Sequence, residues 1–268
     1  MKELFEIEWF GDAAERHFRK VRPFASELPW GTIDKSHHAP EVLERARIVW
    51  SSIALSEYHA AGSFADVLGA VLAARAPLDI VGMAGDFVAD ELMHTELASR
   101  IAMELGGGAP VVVDFDEMGM KPSAPDLDAF ARANDLVIRA ACVTETISGA
   151  IAVETRAIVE QPLIRAVVEQ IARDEARHMR FGWLYMDWAV ADMDDAERAR
   201  LGRVAVAELA ALSPSWRRRP GPSHGRDFGW LDVDTFRARM RTTILDDIVA
   251  PLEKLGIPVD QEAVRQLL

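Results

Sequence analysis

Apolar side chains recur along this chain at intervals of three and four residues, the spacing that lines one face of an α-helix. The first long stripe reads Leu43, Ala46, Trp50, Ile53, Glu57, Ala60, Phe64, Val67, Val71. It predicts a helix from Pro40, a favourable first-turn residue, to about Ala74, with a bend expected at Gly62. The second stripe, Ile80, Ala84, Phe87, Glu91, His94, Ala98, Ile101, Leu105, predicts a helix that starts near Pro77 and stops before Gly106-Gly107-Gly108. A third helix follows Pro125-Asp126 and runs to about Glu160, with a less regular inward face of Ile138, Ala141, Glu145, Ser148, Ala152 and Val159. The fourth opens at Pro162 and carries Ile164, Val168, Ile171, Glu175, His178, Gly182, Tyr185 and Ala189. In all four, the charged members sit near the middle of an apolar face.

The flanks read differently. Residues 1–39 form an N-terminal arm with a short helix near Asp12–Val21, and 40–193 carry the four long helices. Residues 194–268 form a helical extension: a fifth helix over Asp194–Leu212, a loop rich in Pro, Gly, Arg and Trp at 213–231, a sixth helix over Val233–Leu255 and a short one after Pro258. The 106–125 connection holds a Val111–Phe115 run with extended character. A helix of this length is about 40 Å long, so a short turn makes each pair antiparallel. The connection between the pairs can extend about 60 Å, enough to travel the length of a bundle. The fold class expected is all-α, a four-helix bundle with one long crossover.

Seven histidines are present, and only His94 and His178 follow a glutamate by three residues. Both glutamates also follow an aspartate, so Asp90-Glu91-Leu92-Met93-His94 and Asp174-Glu175-Ala176-Arg177-His178 spell one pattern twice. Positions i and i+3 of a helix face the same way, so each motif offers a carboxylate and an imidazole to one point. Glu57 precedes Glu91 by 34 residues and Glu145 precedes Glu175 by 30, so each half supplies the same set. A carboxylate buried in hydrocarbon is costly unless something neutralises it, and bound cations do so. Glu57, Glu91, His94, Glu145, Glu175 and His178 are therefore the candidate metal ligands. Four carboxylates with two imidazoles suit iron or manganese; zinc favours fewer carboxylates, and calcium does not ordinarily use histidine. Asp90 and Asp174 are each placed to accept the distal N–H of the histidine from the opposite hairpin, fixing its tautomer.

Composition narrows the classes. The net charge of −13 argues against a nucleic-acid partner, which needs a basic face. Cys142 is the only cysteine, which excludes an internal disulfide or a Cys-rich iron–sulfur site. The start, MKELFEIEWFGD, lacks the order of a signal peptide, and no run of about 18 apolar residues predicts a membrane span. The placement expected is the cytoplasm. Small residues crowd Glu145, with Cys142, Ser148 and Gly149 as candidate pocket lining, and close helix packing as the equal alternative. Glu154 and the triplet Arg217-Arg218-Arg219 read as surface ion pairs or solvated charge, His37 and His38 as surface or capping residues, and Tyr58 and Tyr185 as packing residues. His59 is expected to face away from the site.

Residues 40–190 resemble the ferritin-like di-iron carboxylate superfamily, and the doubled Glu…Asp-Glu-x-x-His pattern is most similar to its oxygen-activating branch. The resemblance implies that the six residues hold two iron ions (Fe/Fe, with Mn/Fe as the other pairing), bridged by Glu91 and Glu175. It also implies a non-haem di-iron oxygenase or oxidase that hydroxylates, desaturates or N-oxygenates a small organic substrate. The partners expected are that substrate, dioxygen and an external reductase or ferredoxin, with a homodimer left open. The alternatives are ferritin-type iron oxidation and storage, or manganese-catalase-like peroxide scavenging. Two departures from relatives stand out. Ile171 occupies the place where arylamine N-oxygenases carry an additional histidine, and Gly149 the place where multicomponent monooxygenases carry a threonine.

Overall fold

A computed structural model of the chain describes residues 2–217 and 225–268. Its helices are α1 (Asp12–Val21), α2 (Phe24–Glu27), α3 (Pro40–Ala73), α4 (Leu78–Glu104), α5 (Ala129–Ile158), α6 (Pro162–Ala189), α7 (Asp195–Arg217), α8 from Val233 to Lys254, and α9 (Gln261–Leu267). Strand β1 (Lys2–Leu4), which has no signature in the sequence, pairs antiparallel with β2 (Val112–Asp114) inside the predicted extended run. The architecture is all-α, with this short ribbon as its only sheet among the described residues.

The boundaries follow local chemistry. Pro40 opens α3 and Pro162 opens α6. Gly106 and Gly107 take positive φ angles and their N–H groups cap the last carbonyls of α4, donating to Met103 and Ala102. The α5 helix begins two residues later than the expected start, because the Asp128 side chain accepts from the Ala131 N–H and caps it there.

The crossover between α4 and α5 lies along α3. Arg47 donates to the Gly108 carbonyl, Ser51 accepts from the Ala109 N–H, and Asp66 accepts from the Met120 N–H. Ser123 then reaches Asp135 on α5. Gly62, expected to bend α3, has a different use. A side chain there would meet the Gly119 backbone at 3.0 Å, so the missing Cβ lets the crossover lie against the helix.

Two separate apolar clusters fill the interior. One joins Phe64–Val71 of α3, Ile80–Phe87 of α4, the first half of α5, Phe181–Ala189 of α6 and the residues of α7 to α9. The other joins Ala46–Ala54, Met93–Leu105 and Leu163–Ile171 with Ala25 and Ile33 of the N-terminal arm. The layer between them contains the glutamate and histidine positions of all four long helices. The bundle is thus two oily halves separated by one polar level.

The α5 helix is surrounded by α3, α6, α7 and α8, and nearly every residue from Ala133 to Val143 is buried. By length and composition it is apolar enough to cross a membrane, which the sequence reading did not anticipate, and its central burial accounts for that composition. Between Ile138 and Glu145 its hydrogen bonding is π-helical. A π turn carries an extra residue, so side chains beyond it rotate relative to those before it. No single three–four stripe fits both halves, which explains the irregular inward face.

The extension packs on α5 through Arg200–Asp135 at 2.9 Å and Arg139–Glu208 at 2.6 Å. The α7 helix runs past its expected end at Leu212 and through Pro214. Trp216, buried and donating to the Leu267 carbonyl at 3.0 Å, anchors that continuation against the usual penalty for proline. The α8 helix also contains a π stretch, Thr243–Val249. At the other end, Arg19 of α1 pairs with buried Glu96 at 2.6 Å, tying the arm to α4.

Candidate metal centre

The level between the two cores holds all six predicted ligands. Glu57 projects from α3, Glu91 and His94 from α4, Glu145 from the end of the π stretch in α5, and Glu175 and His178 from α6. Glu91, His94, Glu145, Glu175 and His178 are buried, and the Glu57 side chain is 12% exposed. They fall into two groups. Glu57, Glu91, His94 and Glu175 bring one ligand atom each within 4.8 Å of one another, and so do Glu91, Glu145, Glu175 and His178. Glu91 and Glu175 belong to both.

The histidines show which atom faces the centre. His94 Nε2 lies 3.1 Å from Asp174, and His178 Nε2 lies 3.3 Å from Asp90. An ionised carboxylate only accepts, so each Nε2 carries the proton and each Nδ1 of a neutral ring is left with a lone pair. His94 Nδ1 is 3.5 Å from Glu91, 3.7 Å from Glu57 and 3.8 Å from Glu175. His178 Nδ1 is 2.9 Å from Glu91, 3.4 Å from Glu145 and 3.9 Å from Glu175.

Short as some of these approaches are, they lack hydrogen-bond geometry. Both Glu91 oxygens, both Nδ1 atoms, and Oε2 of Glu145 and of Glu175 are buried without a hydrogen-bond partner. Buried polar atoms are normally paired, and leaving one unsatisfied costs about 1–3 kcal/mol. Six orphaned atoms aimed at one level fit a cation between them. Four carboxylates and two neutral imidazoles carry four negative charges, which two divalent ions cancel.

Without cations the protein must manage that charge with protons. Burial drives the Glu57 carboxyl up to about 8, aided by the charge of Glu91 and opposed by His94. Burial likewise lifts Glu175 well above the usual carboxylate range, with Glu145 and Glu91 adding to the effect. The histidines move the other way from what burial alone dictates: the carboxylates around His178 overcome desolvation and push it up to about 12, and His94 is also raised. Glu91, between the two imidazoles, is pulled down despite its burial.

The two aspartates are held in turn. Gln170 donates to Asp174 at 2.8 Å, and Arg177 spans Asp174 at 2.6 Å and Asp90 at 3.1 Å. The aspartates thus contact both a histidine and the surface Arg177. The Phe87 ring packs tilted, at 55°, against the His178 ring with centroids 4.3 Å apart. Replacing Asp174 with asparagine is expected to weaken divalent-metal affinity about 10–100-fold, because the His94 ring loses its orienting anion. Competition with a chromophoric chelator measures it.

The small residues around Glu145 divide. Ser148 lines a cavity of about 260 Å³ that also touches Glu57 and is otherwise walled by Ala46, Trp50, Ile53, Ala152, Val168, Ile171, Phe228 and Trp230 among others. Cys142 and Gly149 lie elsewhere. Cys142 is buried where a side chain on Gly182 would meet its sulfur at 2.8 Å, and burial raises its thiol far above the ordinary range. A side chain on Gly149 would collide with Met179. Both residues serve the close approach of α5 and α6, so the packing alternative holds for them. A larger cavity of about 660 Å³ sits under Leu4–Trp9 and touches none of the six.

Other expected residues have ordinary places. Glu154 approaches Arg239 at 3.8 Å, Tyr58 is exposed and packs on Phe5, and Tyr185 is buried and donates to Asn134. His59 contacts Ser63, one turn along α3. His38 meets Asp227 at 3.3 Å and His37 is exposed. The Arg217-Arg218-Arg219 triplet lies outside the described residues apart from the Arg217 backbone. The cavity walls contributed by Phe228 and Trp230 were not legible: a loop carries no periodicity to say what it covers.

No protein-family model matches the chain, and no curated protein matches it in sequence.

Proposed function

We propose that this protein is a non-haem di-iron enzyme that uses dioxygen to oxidise a small organic molecule. The observation that carries the reading is the sharing of Glu91 and Glu175 between two four-residue groups, the arrangement of a binuclear centre with two bridging carboxylates. Glu57 and His94 would complete one ion's protein ligands, and Glu145 and His178 the other's. The donor set is oxygen-rich with one imidazole per ion, which suits a pair of irons. When bound, such a pair supplies the two-electron activation of dioxygen.

The protein's own part is positional and electrostatic. Asp90 and Asp174 accept hydrogen bonds from the Nε2–H groups of the two imidazoles and so turn each Nδ1 to the centre. The two apolar cores exclude water above and below the polar level, so charge at the centre is felt strongly. Bridging carboxylates have two oxygens each and can change how they are shared as the charge on the ions changes. In a hydroxylation one oxygen atom enters a C–H bond and the other leaves as water, which takes two electrons and two protons. The electrons would come from a reductase or ferredoxin, since one buried cysteine cannot hold a cluster. The apolar cavity against Glu57 supports an organic substrate over iron as cargo, because a path for ions needs polar walls.

The test is dioxygen consumption by iron-loaded protein given a chemical reductant. Uptake that the Glu175→Ala variant does not show supports the reading. Equal uptake by both, or none by either with iron bound, contradicts it.

A further inference from the structure

We infer that the cavity beside Glu57 seats a compact, neutral, largely apolar molecule of one or two rings, and that Trp230 of the C-terminal extension supplies the wall that holds it there. Its role as the substrate's seat rests on the di-iron reading; its capacity to bind does not. Four observations converge. The first is place: Glu57, a member of one ligand group, and Ser148, three residues past Glu145, both line it. A molecule lodged there lies against one side of the centre.

The second is size. About 260 Å³ lies at the small end of ligand pockets, while an engineered cavity of about 150 Å³ already accepts benzene. A molecule of one or two rings fits. The third is charge: the walls include no lysine or arginine, and Glu57 is their only ionisable side chain. An anion entering would be desolvated without a counter-charge, so carboxylates and phosphates are disfavoured.

The fourth is a fixed wall: Trp230 is 7% exposed and lines the cavity. The residue is held firmly: the Arg45 guanidinium lies 4.7 Å over its ring, and Trp50 Nε1 donates to the carbonyl of nearby Phe228 at 3.2 Å. Gly229, between Phe228 and Trp230, takes φ 83°, the left-handed conformation that turns the chain there. The C-terminal extension thereby supplies one wall of a cavity whose other walls belong to the bundle. Ile171, in place of the histidine that an arylamine N-oxygenase would carry, keeps the side facing α6 apolar.

Calorimetry with the metal-loaded protein tests this, using acetophenone, ethylbenzene and benzoate. Acetophenone and ethylbenzene are expected to bind one to one, with benzoate at least tenfold weaker. Trp230→Ala removes the wall and is expected to weaken acetophenone and ethylbenzene alike, about tenfold or more. Ala152→Phe is expected to abolish binding of both by filling the space. Metal content and thermal midpoint are recorded for each variant. Failure of acetophenone to bind folded, metal-loaded protein overturns the inference, as does benzoate binding equally well or Ala152→Phe leaving affinity intact. Acetophenone binding to protein that takes up no iron would sustain the cavity and defeat the di-iron reading instead.

Discussion

Glu175→Ala is expected to empty the centre, whereas Glu57→Ala is expected to leave one ion in it. The difference follows from geometry: Glu175 contributes to both four-residue groups and Glu57 to one. Losing an outer partner of a ligand typically weakens affinity about 10–100-fold, and losing a bridging ligand must exceed that at both positions. Metal analysis after desalting should give two ions per chain for the parent, about one for Glu57→Ala, and less than half for Glu175→Ala. Dioxygen-dependent turnover should fall at least 100-fold in both, since a single ion cannot share the work of two. Glu175→Gln serves as the folding control. Its amide matches the carboxyl in shape and removes a charge that burial disfavours, so the metal-free variant should melt no lower than the metal-free parent.

The second large effect is on stability, and its size depends on pH. A ligand that binds only the folded state stabilises it by about 4 kcal/mol at a thousandfold excess over its dissociation constant, or about 8–16 °C in thermal midpoint for a chain of this size. In the metal-free protein, Glu57 is raised from 4.5 to about 8 and His178 from 6.5 to about 12. A raised group binds its proton more tightly when folded. Its stabilisation is complete below the unfolded value and is lost as pH climbs through the folded one. The metal-free protein should therefore lose stability from about pH 5 upward. Glu91, which is lowered, acts with the opposite sign, but only below its unfolded value of 4.5, outside this range. Metal ligation needs the deprotonated forms, so the loaded protein gains over the same interval. The gap in thermal midpoint between loaded and metal-free protein should widen from pH 6 to pH 8.5. A gap that narrows would contradict the assignment of these groups as ligands.

Much of this was readable before any coordinates, and the reason is physical. Glutamates in mid-stripe on four helices violate the rule that apolar faces stay apolar, and a violation repeated at one level has one cause. The doubled spacing then placed Glu91 and His94 of α4 against Glu175 and His178 of α6. Elements governed by long-range packing were not readable. Strand β1 exists because β2 offers it an edge; Pro214 sits inside α7 because Trp216 is held by Leu267. The π stretch before Glu145 blurred the third helix, whose surroundings bury it almost all round. Cys142 and Gly149 look like pocket lining only while the rotation of α5 against α6 is unknown. Trp230 joins the cavity by tertiary folding alone.

The central claim is that six side chains hold two cations at one level of the bundle. Anomalous diffraction from crystals of the iron-loaded protein, recorded at the iron absorption edge, tests it most directly. Two peaks are predicted, one within bonding distance of Glu57, Glu91, His94 and Glu175, the other of Glu91, Glu145, Glu175 and His178. A single peak, or iron bound away from these residues, would contradict it.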